Sequence, residues 1–341
     1  MRILVTGGAG FIGSNFVRHV LQCHPSDTIR ILDKLTYAGN LRNLEKPLQD
    51  TRVQFIRMDI SDSAVTEMVR DCDAVVHFAA ESHVDRSIED ASPFITTNVE
   101  GTWRLVDACR IARIGRFIHV STDEVYGSLS SAVQAKESFP LAPTSPYAAS
   151  KASSDLLVLS AAKTHGFPAI VTRCTNNYGP NQFPEKFIPL MISQAIADQP
   201  LPVYGDGLNV RDWIHVLDHC RAIDRILRMG KLGEIYNIGG ECEMENIAVA
   251  KKILKAVGRS ESLLKFVTDR LAHDRRYALD CTKIKCELDW RPVWEFERGL
   301  ADTIRWYREN LDWLEETRSG EYRGYFERHY VHRGLTRVTR D

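Results

Sequence analysis

The chain lacks an excess of charge of either sign: 44 Lys and Arg against 45 Asp and Glu leave −1 over 341 residues. So balanced a sequence offers no bulk field for nucleic acid or an acidic membrane surface. No uncharged apolar stretch reaches the roughly 18 residues of a membrane span. A secretory pattern is missing as well, since Met1-Arg2 runs directly into a short strand and a glycine turn. The eight cysteines include no C-x-x-C pair and none at zinc-ligand spacing with histidine, so no metal site is expected. Several fall in apolar periodic segments, where a thiol is a small hydrophobe, and all are expected to be free in a reducing cytoplasm. Internal repeats and low-complexity tracts are likewise absent. What remains is an ordinary globular composition, 44% hydrophobic and 26% charged, long enough for one large α/β domain or two tightly joined ones.

The first half alternates strand and helix signals. Apolar, β-rich runs occur at residues 3–6, 29–33, 53–59, 74–78, 117–121 and 169–173, and segments of 3.6-residue period at 11–21, 64–69, 94–112 and 147–164. This alternation predicts an α/β fold, a Rossmann-type doubly wound parallel sheet. Beyond about residue 175 the pattern changes to Asn-, Pro- and Gly-bearing loops, with short strands at 201–204 and 235–238 and helices at 283–288 and 296–310. The division expected is 1–175 for the nucleotide fold, with later segments returning to it, and 176–320 for a smaller mixed α/β substrate-binding region. Residues 321–341, arginines interleaved with tyrosines, would be a solvated or oligomer-packing tail.

Gly7, Gly10 and Gly13 recur every third residue between the first strand and first helix, one residue wider than G-x-G-x-x-G. The physical need is shared: a tight turn, close approach of the backbone to a pyrophosphate, and close packing of helix on strand. The helix then presents unpaired N–H groups to phosphate. Asp33 ends the second strand 20 residues beyond Gly13, where a carboxylate accepts from a ribose hydroxyl and disfavours a 2′-phosphate, so NAD is the cofactor expected.

Ser145-Pro146 reads as an N-cap and first helical position, which puts Tyr147 and Lys151 one turn apart on one helical face. A lysine ammonium near the phenol, with the positive cofactor ring, favours phenolate, a base for removing a hydroxyl proton during hydride transfer. Thr122, Asp123 and Glu124 follow the fifth strand, at the carboxyl edge where ligands of such sheets bind. Adjacent carboxyls there suit a general acid and a general base; in an arbitrary loop they would be a solvated turn or a helix cap.

The glycine loop with Tyr147-x-x-x-Lys151 resembles the extended short-chain dehydrogenase/reductase superfamily. Ser121-Thr122-Asp123-Glu124-Val125-Tyr126-Gly127 is similar to the signature of its dTDP-glucose 4,6-dehydratase family, whereas epimerases and decarboxylases of the same fold usually lack the Asp-Glu. Further segments agree: Asp33-Lys34-Leu35-Thr36-Tyr37-Ala38-Gly39-Asn40, Ala79-Ala80-Glu81-Ser82-His83-Val84-Asp85-Arg86-Ser87, Asn176-Asn177-Tyr178-Gly179-Pro180, Pro184-Glu185-Lys186, Arg211-Asp212-Trp213 and His273-Asp274-Arg275-Arg276-Tyr277. The resemblance runs from Arg2 to about Tyr307.

It implies a lyase that keeps its NAD. Tyr147 would remove the glucose C4 hydroxyl proton as hydride leaves C4, and Thr122 would hold the C4 oxygen. Glu124 would take the C5 proton, Asp123 would protonate the departing C6 hydroxyl, and hydride would return to C6. Cofactor contacts implied with the glycines are Phe11, Ile12, Asp33, Lys34, Thr36, Asp59, Ile60, Ala80, Ser82, Thr97, Tyr147, Lys151 and Asn177. Those implied for the nucleotide sugar are Ser82, Thr122, Asn176, Glu185, Lys186, Phe187, Leu201, Val203, Arg211, Asn246 and His273, with the Arg211 fork suited to a diphosphate. His83 and His215 are expected to satisfy local hydrogen bonds. A homodimer bundling helices 94–112 and 147–164 is implied too.

One departure stands out: Asp269-Arg270-Leu271-Ala272-His273 occupies the place of the family's usual Asp-Arg-Pro-Gly-His. Leu-Ala copies a Pro-Gly turn poorly where φ > 0 is needed, which leaves thymine against uracil preference open. UDP-glucose or another nucleotide hexose is therefore an alternative substrate, and a 4-epimerase or decarboxylase an alternative activity. An idle NAD-binding scaffold is the reading from a different class; the intact Thr122, Asp123, Glu124, Tyr147 and Lys151 argue against it.

Overall fold

The computed structural model describes residues 1–318, 320–331 and 333–335. Its β-rich apolar runs form β1 (Arg2–Thr6), β2 (Thr28–Asp33), β3 (Val53–Arg57), β4 (Ala74–His77), β5 (Arg116–Thr122) and β6 (Ala169–Cys174). Their order, with a seventh strand, is β10-β6-β5-β4-β1-β2-β3, where β10 is Ile235–Ile238. Every pairing is parallel. The chain winds outward from β1 in one direction and restarts at β4 in the other. A crevice therefore opens at the carboxyl ends of β1 and β4, where ligands of doubly wound sheets bind.

Helices cover both faces, as a parallel sheet requires. On one side α1 (Phe11–Cys23) contributes Phe16, Val17 and Val20, and α8 (Val216–Met229) contributes Ile223, Ile226 and Leu227. On the other, α2 (Val65–Val69), α5 (Thr102–Ala112) and α6 (Pro146–His165) bury Val65, Val69, Leu105, Cys109, Val158 and Ala161. Each fully buried aliphatic side chain of this kind stabilises the fold by about 1.5–3 kcal/mol. α3 (Val84–Glu89) follows β4, and α4 (Ser92–Phe94) follows α3.

The helix expected over 94–112 is not uniform. From α4 it passes through a wide π-helical stretch, Ile95–Gly101, before α5. Asn98 supplies the reason. Its amide accepts from Glu81 N and donates to Glu81 O and Ser150 Oγ, each at 2.9 Å, so the stretch is tied to the β4 edge and to α6. Wide turns of this sort collect at functional sites, and this one brings Thr97 to the crevice.

The second half builds a smaller body beside the crevice. β7 (Asn176–Tyr178), β9 (Val210–His215) and β11 (Glu243–Glu245) make one small sheet; β8 (Leu201–Tyr204) and β12 (Leu264–Val267) pair in another. α7 (Phe187–Ile196), α9 (Asn246–Val257) and α11 (Phe296–Glu309) enclose a separate core of Met191, Ile253 and Ile304. α10 (Thr282–Leu288) lies between α9 and α11 in the chain, and α12 (Leu311–Thr317) and α13 (Gly320–Phe326) follow.

The C-terminal segment differs from a solvated or purely intermolecular tail. Tyr322, Phe326, Tyr330 and Leu335 are buried in this second core, because an aromatic every third or fourth residue gives the segment one apolar face. The part of the expected tail at 336–341 lies outside the described residues. Among the described residues no helix is long and apolar enough to cross a membrane, and no group of three or more His, Cys, Asp or Glu could hold a metal ion. The cysteines are all thiols.

Candidate active site

The glycine loop is shaped by what a side chain would strike. Gly7 has φ +70°, and a Cβ there would lie 2.6 Å from the main-chain nitrogen of Ala79 at the end of β4. A Cβ on Gly13 would stand 2.3 Å from the Gly7 carbonyl oxygen. Bare main chain is thus enforced where β1 turns into α1, which is what a pyrophosphate cradle requires. Asp33 braces the turn: its Oδ2 accepts from Ala9 N at 3.0 Å and its Oδ1 from Leu35 N at 2.8 Å. Beside it, Lys34 Nζ lies 3.2 Å from Asp59 Oδ2 and 3.4 Å from Thr97 Oγ1, linking β2, β3 and the wide helical turn.

At the adjoining edge β5 ends in a one-turn 3₁₀ helix, Asp123–Tyr126, capped by Thr122, whose Oγ1 accepts from Glu124 N at 3.3 Å and donates to Asp123 Oδ1 at 3.2 Å. Asp123 is 3% exposed, and its Oδ2 is buried without a hydrogen-bond partner. Burial, then the charge of Glu124, push the Asp123 carboxyl well above the usual carboxylate range, which favours its protonated form. Glu124 is also raised by burial, but Arg270, Lys186 and Arg211 oppose that shift. Both carboxyls are raised, Asp123 the more strongly, while three cations favour ionisation of Glu124.

Opposite them Ser145 caps α6, its Oγ accepting from Ala148 N at 3.1 Å, and Tyr147 N donates to Ser87 Oγ at 3.1 Å. Lys151 is 3% exposed, and its Nζ donates to Val120 O at 2.9 Å. Burial lowers the ammonium to about 8 against the support of Asp155, a fully buried carboxylate one turn further along α6. The phenol differs from the sequence expectation of a favoured phenolate: burial, followed by Glu124, raises Tyr147 well above the usual tyrosine range. The first cause is burial of the ring and the second is the Glu124 charge near it, while Lys151 Nζ is directed to the Val120 carbonyl of β5.

These groups share one cleft of about 310 Å³, within the range of small-ligand sites. Every cofactor residue expected from the sequence lines it, as do Thr122, Asp123, Glu124, Asn176, Glu185, Lys186 and Phe187. A profile of the GDP-mannose 4,6 dehydratase family matches residues 4–303. The dTDP-glucose 4,6-dehydratase of an Actinoplanes species is 51% identical over 92% of this chain and 99% of its own length. The low-salt glycan biosynthesis protein Agl12 of Haloferax volcanii is 52% identical over 90% and 98%. Among solved structures, DesIV of Streptomyces venezuelae, a dTDP-glucose 4,6-dehydratase with NAD bound, superposes with a TM-score of 0.91 at 51% identity, covering 93% of this chain and all of that one.

The chain belongs to the dTDP-glucose 4,6-dehydratase family.

Five residues that the family resemblance assigns to the nucleotide sugar are not in the cleft lining. Leu201 and Val203 on β8 are fully buried, main chain included, so neither offers surface to a ligand here. Arg211 on β9 directs Nη1 to Val210 O and Nη2 to Asp274 O, both at 2.8 Å, and stacks on Tyr277. Its charge still reaches Asp123 and Glu124. Asn246 opens α9 with its Oδ1 buried and unpartnered. His273 Nδ1 is 2.6 Å from Asp269 Oδ1; burial, with Arg270 and Arg211, lowers its imidazole to about 4. Between Arg270 and His273, Ala272 has φ +49°, the left-handed conformation that the missing glycine would favour. His83 and His215 are neutral through burial, and His83 Nε2 lies 3.3 Å from Glu185 Oε1.

Sequence reasoning missed Tyr37, Phe183 and Cys174 in the lining and Arg270 and Asp155 behind it. Tyr37 stood inside a segment carrying the family resemblance, and Arg270 inside the one that departs from the family's usual sequence. Asp155 had a weaker signal, its position eight residues after Tyr147 on the face that also bears Lys151.

Proposed function

We propose that this protein is an NAD-dependent hydro-lyase that converts dTDP-glucose to dTDP-4-keto-6-deoxyglucose and water. The observation that carries the reading is the unlike setting of Asp123 and Glu124 at a sheet edge that also bears Tyr147 and Lys151. An epimerase needs the tyrosine but has no use for a protonated carboxyl beside an ionisable one. The glycine cradle and Asp33 fit a dinucleotide without a 2′-phosphate; NAD, when bound, supplies the hydride acceptor at C4 and the donor at C6, and so needs no exchange between turnovers.

Tyr147 takes the C4 hydroxyl proton; burial and the Glu124 charge oppose the phenolate this needs, and the Lys151 cation, with the positive ring of bound NAD, would offset them. Thr122 holds the C4 oxygen. Oxidation makes the C5 proton acidic, and Glu124 removes it. Asp123, already protonated, gives its proton to the departing C6 hydroxyl. Asn176, Glu185 and Lys186 bind the sugar. Arg211, Asn246 and His273 surround the nucleotide.

The organisation we infer is 1–175 with β10 for the cofactor, 176–320 for the nucleotide sugar, and 321–341 as the C-terminal segment. A homodimer is supported by the exposed Ile95, Trp103, Ile111 and Leu156, which lie on helices 94–112 and 147–164. A cytoplasmic location suits the unpaired thiols. Purified protein given dTDP-glucose or UDP-glucose without added NAD tests the reading. The dTDP sugar should become lighter by one water and gain a C4 ketone; a C4 epimer of unchanged mass would sink it, and dehydration of UDP-glucose alone would reassign the substrate.

A further inference from the structure

Arg86, on α3, lies outside the cleft yet touches two separate parts of its wall and the C-terminal segment behind them. Its guanidinium is sandwiched between two rings, with its central carbon 3.9 Å from the centroid of Tyr37 and 4.4 Å from that of Tyr325. Its Nε donates to Glu185 Oε1 at 2.5 Å. Tyr37 belongs to the loop after Asp33 and lines the cofactor end; Glu185 lines the sugar end. Tyr325 comes from α13 and also meets His83 edge to face, with centroids 5.9 Å apart. His83 Nε2 also approaches Glu185 Oε1, at 3.3 Å. The C-terminal segment thus backs both groups that hold Glu185.

An apolar residue at position 86 could fill the space between the rings, but it would leave the buried Glu185 carboxyl without its ion-pair partner. What an apolar residue cannot do is direct a carboxylate. Only a flat guanidinium both stacks between two rings and points a fixed donor at a third group. The ring stack is extended by Tyr37 against Phe183 (5.6 Å) and Phe183 against Tyr322 (5.4 Å), which ties the cofactor loop to the C-terminal segment a second time.

We propose that Arg86 is a positioning residue coupling the two ends of the cleft: it fixes Glu185 for the nucleotide sugar and Tyr37 over the bound dinucleotide, and Tyr325 is the clasp that holds it there. The proposal rests on the proposed function for the identity of the two ligands. Loosening the sandwich should weaken both ends together, so the cofactor leaks and the sugar binds less well while the chemistry at Tyr147, Asp123 and Glu124 continues.

The test compares wild type with Arg86→Met, which keeps the stem without charge or donor, Arg86→Lys, which keeps the charge without the flat fork, and Tyr325→Leu, which removes only one ring. Two quantities are read on the purified holoprotein: NAD remaining after gel filtration, released by heat and quantified by chromatography, and KM and kcat for dTDP-glucose with NAD in excess. For Tyr325→Leu, NAD release should accelerate and KM should rise, each by about ten-fold, the effect of losing one partly desolvated cation–π contact; Arg86→Met, which loses both contacts and the Glu185 hydrogen bond, should change both by at least as much. kcat should change less than KM, and Arg86→Lys should recover only part of the loss. Wild-type retention and KM in a folded Tyr325→Leu variant overturn the proposal, and so does a change at one end of the cleft alone. If Arg86→Met does not fold, Tyr325→Leu decides by itself. Wild-type protein that neither carries NAD nor dehydrates dTDP-glucose would sink the proposed function instead.

Discussion

Replacing Glu124 by Gln keeps the shape of the side chain and removes a base. Its carboxyl is held between burial, which disfavours the charge, and three cations, Arg270, Lys186 and Arg211, which favour it. Losing a positioned general base costs about 10²- to 10⁴-fold, or about 3–5 kcal/mol of barrier. That loss should fall on elimination alone. Oxidation at C4 depends on Tyr147, and the Glu124 charge is the largest electrostatic opponent of phenolate formation there. The neutral Gln should therefore leave C4 oxidation undiminished or slightly faster. Rapid mixing of the holoprotein with dTDP-glucose would show NADH absorbance rising at the wild-type rate and then persisting, while the dehydrated product appears about 10²-fold or more slowly. Asp123→Asn should give the same split without raising KM, because an amide resembles the neutral carboxyl that burial already maintains. If NADH formation and water loss fell by the same factor in Glu124→Gln, the separation of roles between Tyr147 and Glu124 would be refuted.

Lys151 loses its charge near pH 8, so kcat/KM should decline above that pH; Lys151→Met should be about 10²-fold slower and lack this limb, and a surviving limb would mean another group titrates. Gly13→Ala should abolish NAD retention and destabilise the fold by about 1–3 kcal/mol, because its Cβ would meet main chain, which cannot yield; wild-type retention with unchanged melting would contradict the cradle geometry. Ala272→Gly relieves about 1–2 kcal/mol of left-handed strain and returns about half as chain entropy. A melting temperature higher by about 1 °C is expected for a chain of this size, and a lower one would show that Ala272 is not strained. Asp224 is held below the usual carboxylate range because hydrogen bonds from His19, His24 and Arg228 outweigh its burial. A depressed carboxylate stabilises above its unfolded pKa of about 3.9 and loses that contribution as pH falls through the folded value. Asp224→Asn should thus melt lower than wild type at pH 7, with the gap closing below about pH 4; a gap independent of pH would point to packing instead.

The strands of the nucleotide fold were legible because each is a short apolar run bounded by a turn, and such runs are fixed by local pattern. Gly7, Gly13 and Asp33 were legible for a similar reason, since their spacing encodes a steric requirement within one strand–turn–helix unit. The wide turn at 95–101 was not, because its cause is the Asn98 amide bonding to Glu81 and Ser150, far away in sequence. Nor was the fate of the C-terminal segment. Interleaved Arg and Tyr read equally well as solvated surface, and the burial of Tyr322, Phe326 and Tyr330 in the second core, with the meeting of Tyr325 with Arg86 and His83, distinguishes the two. The unlike environments of Asp123 and Glu124 depend on cations at 186, 211 and 270, which no local pattern places beside them.

Asp33 bears on redesign. Both of its oxygens already accept main-chain hydrogen bonds, and one of them, to Leu35, restrains a residue at φ +58°. Exchanging Asp33 for a small neutral residue, the obvious route to a phosphorylated dinucleotide, would remove more than a repulsive charge. It would unfasten the glycine loop from β2 and release Leu35 from a backbone shape that leucine rarely takes. Cofactor preference is here a matter of backbone architecture, and a variant library meant to change it would have to vary Leu35, with glycine included, together with Asp33.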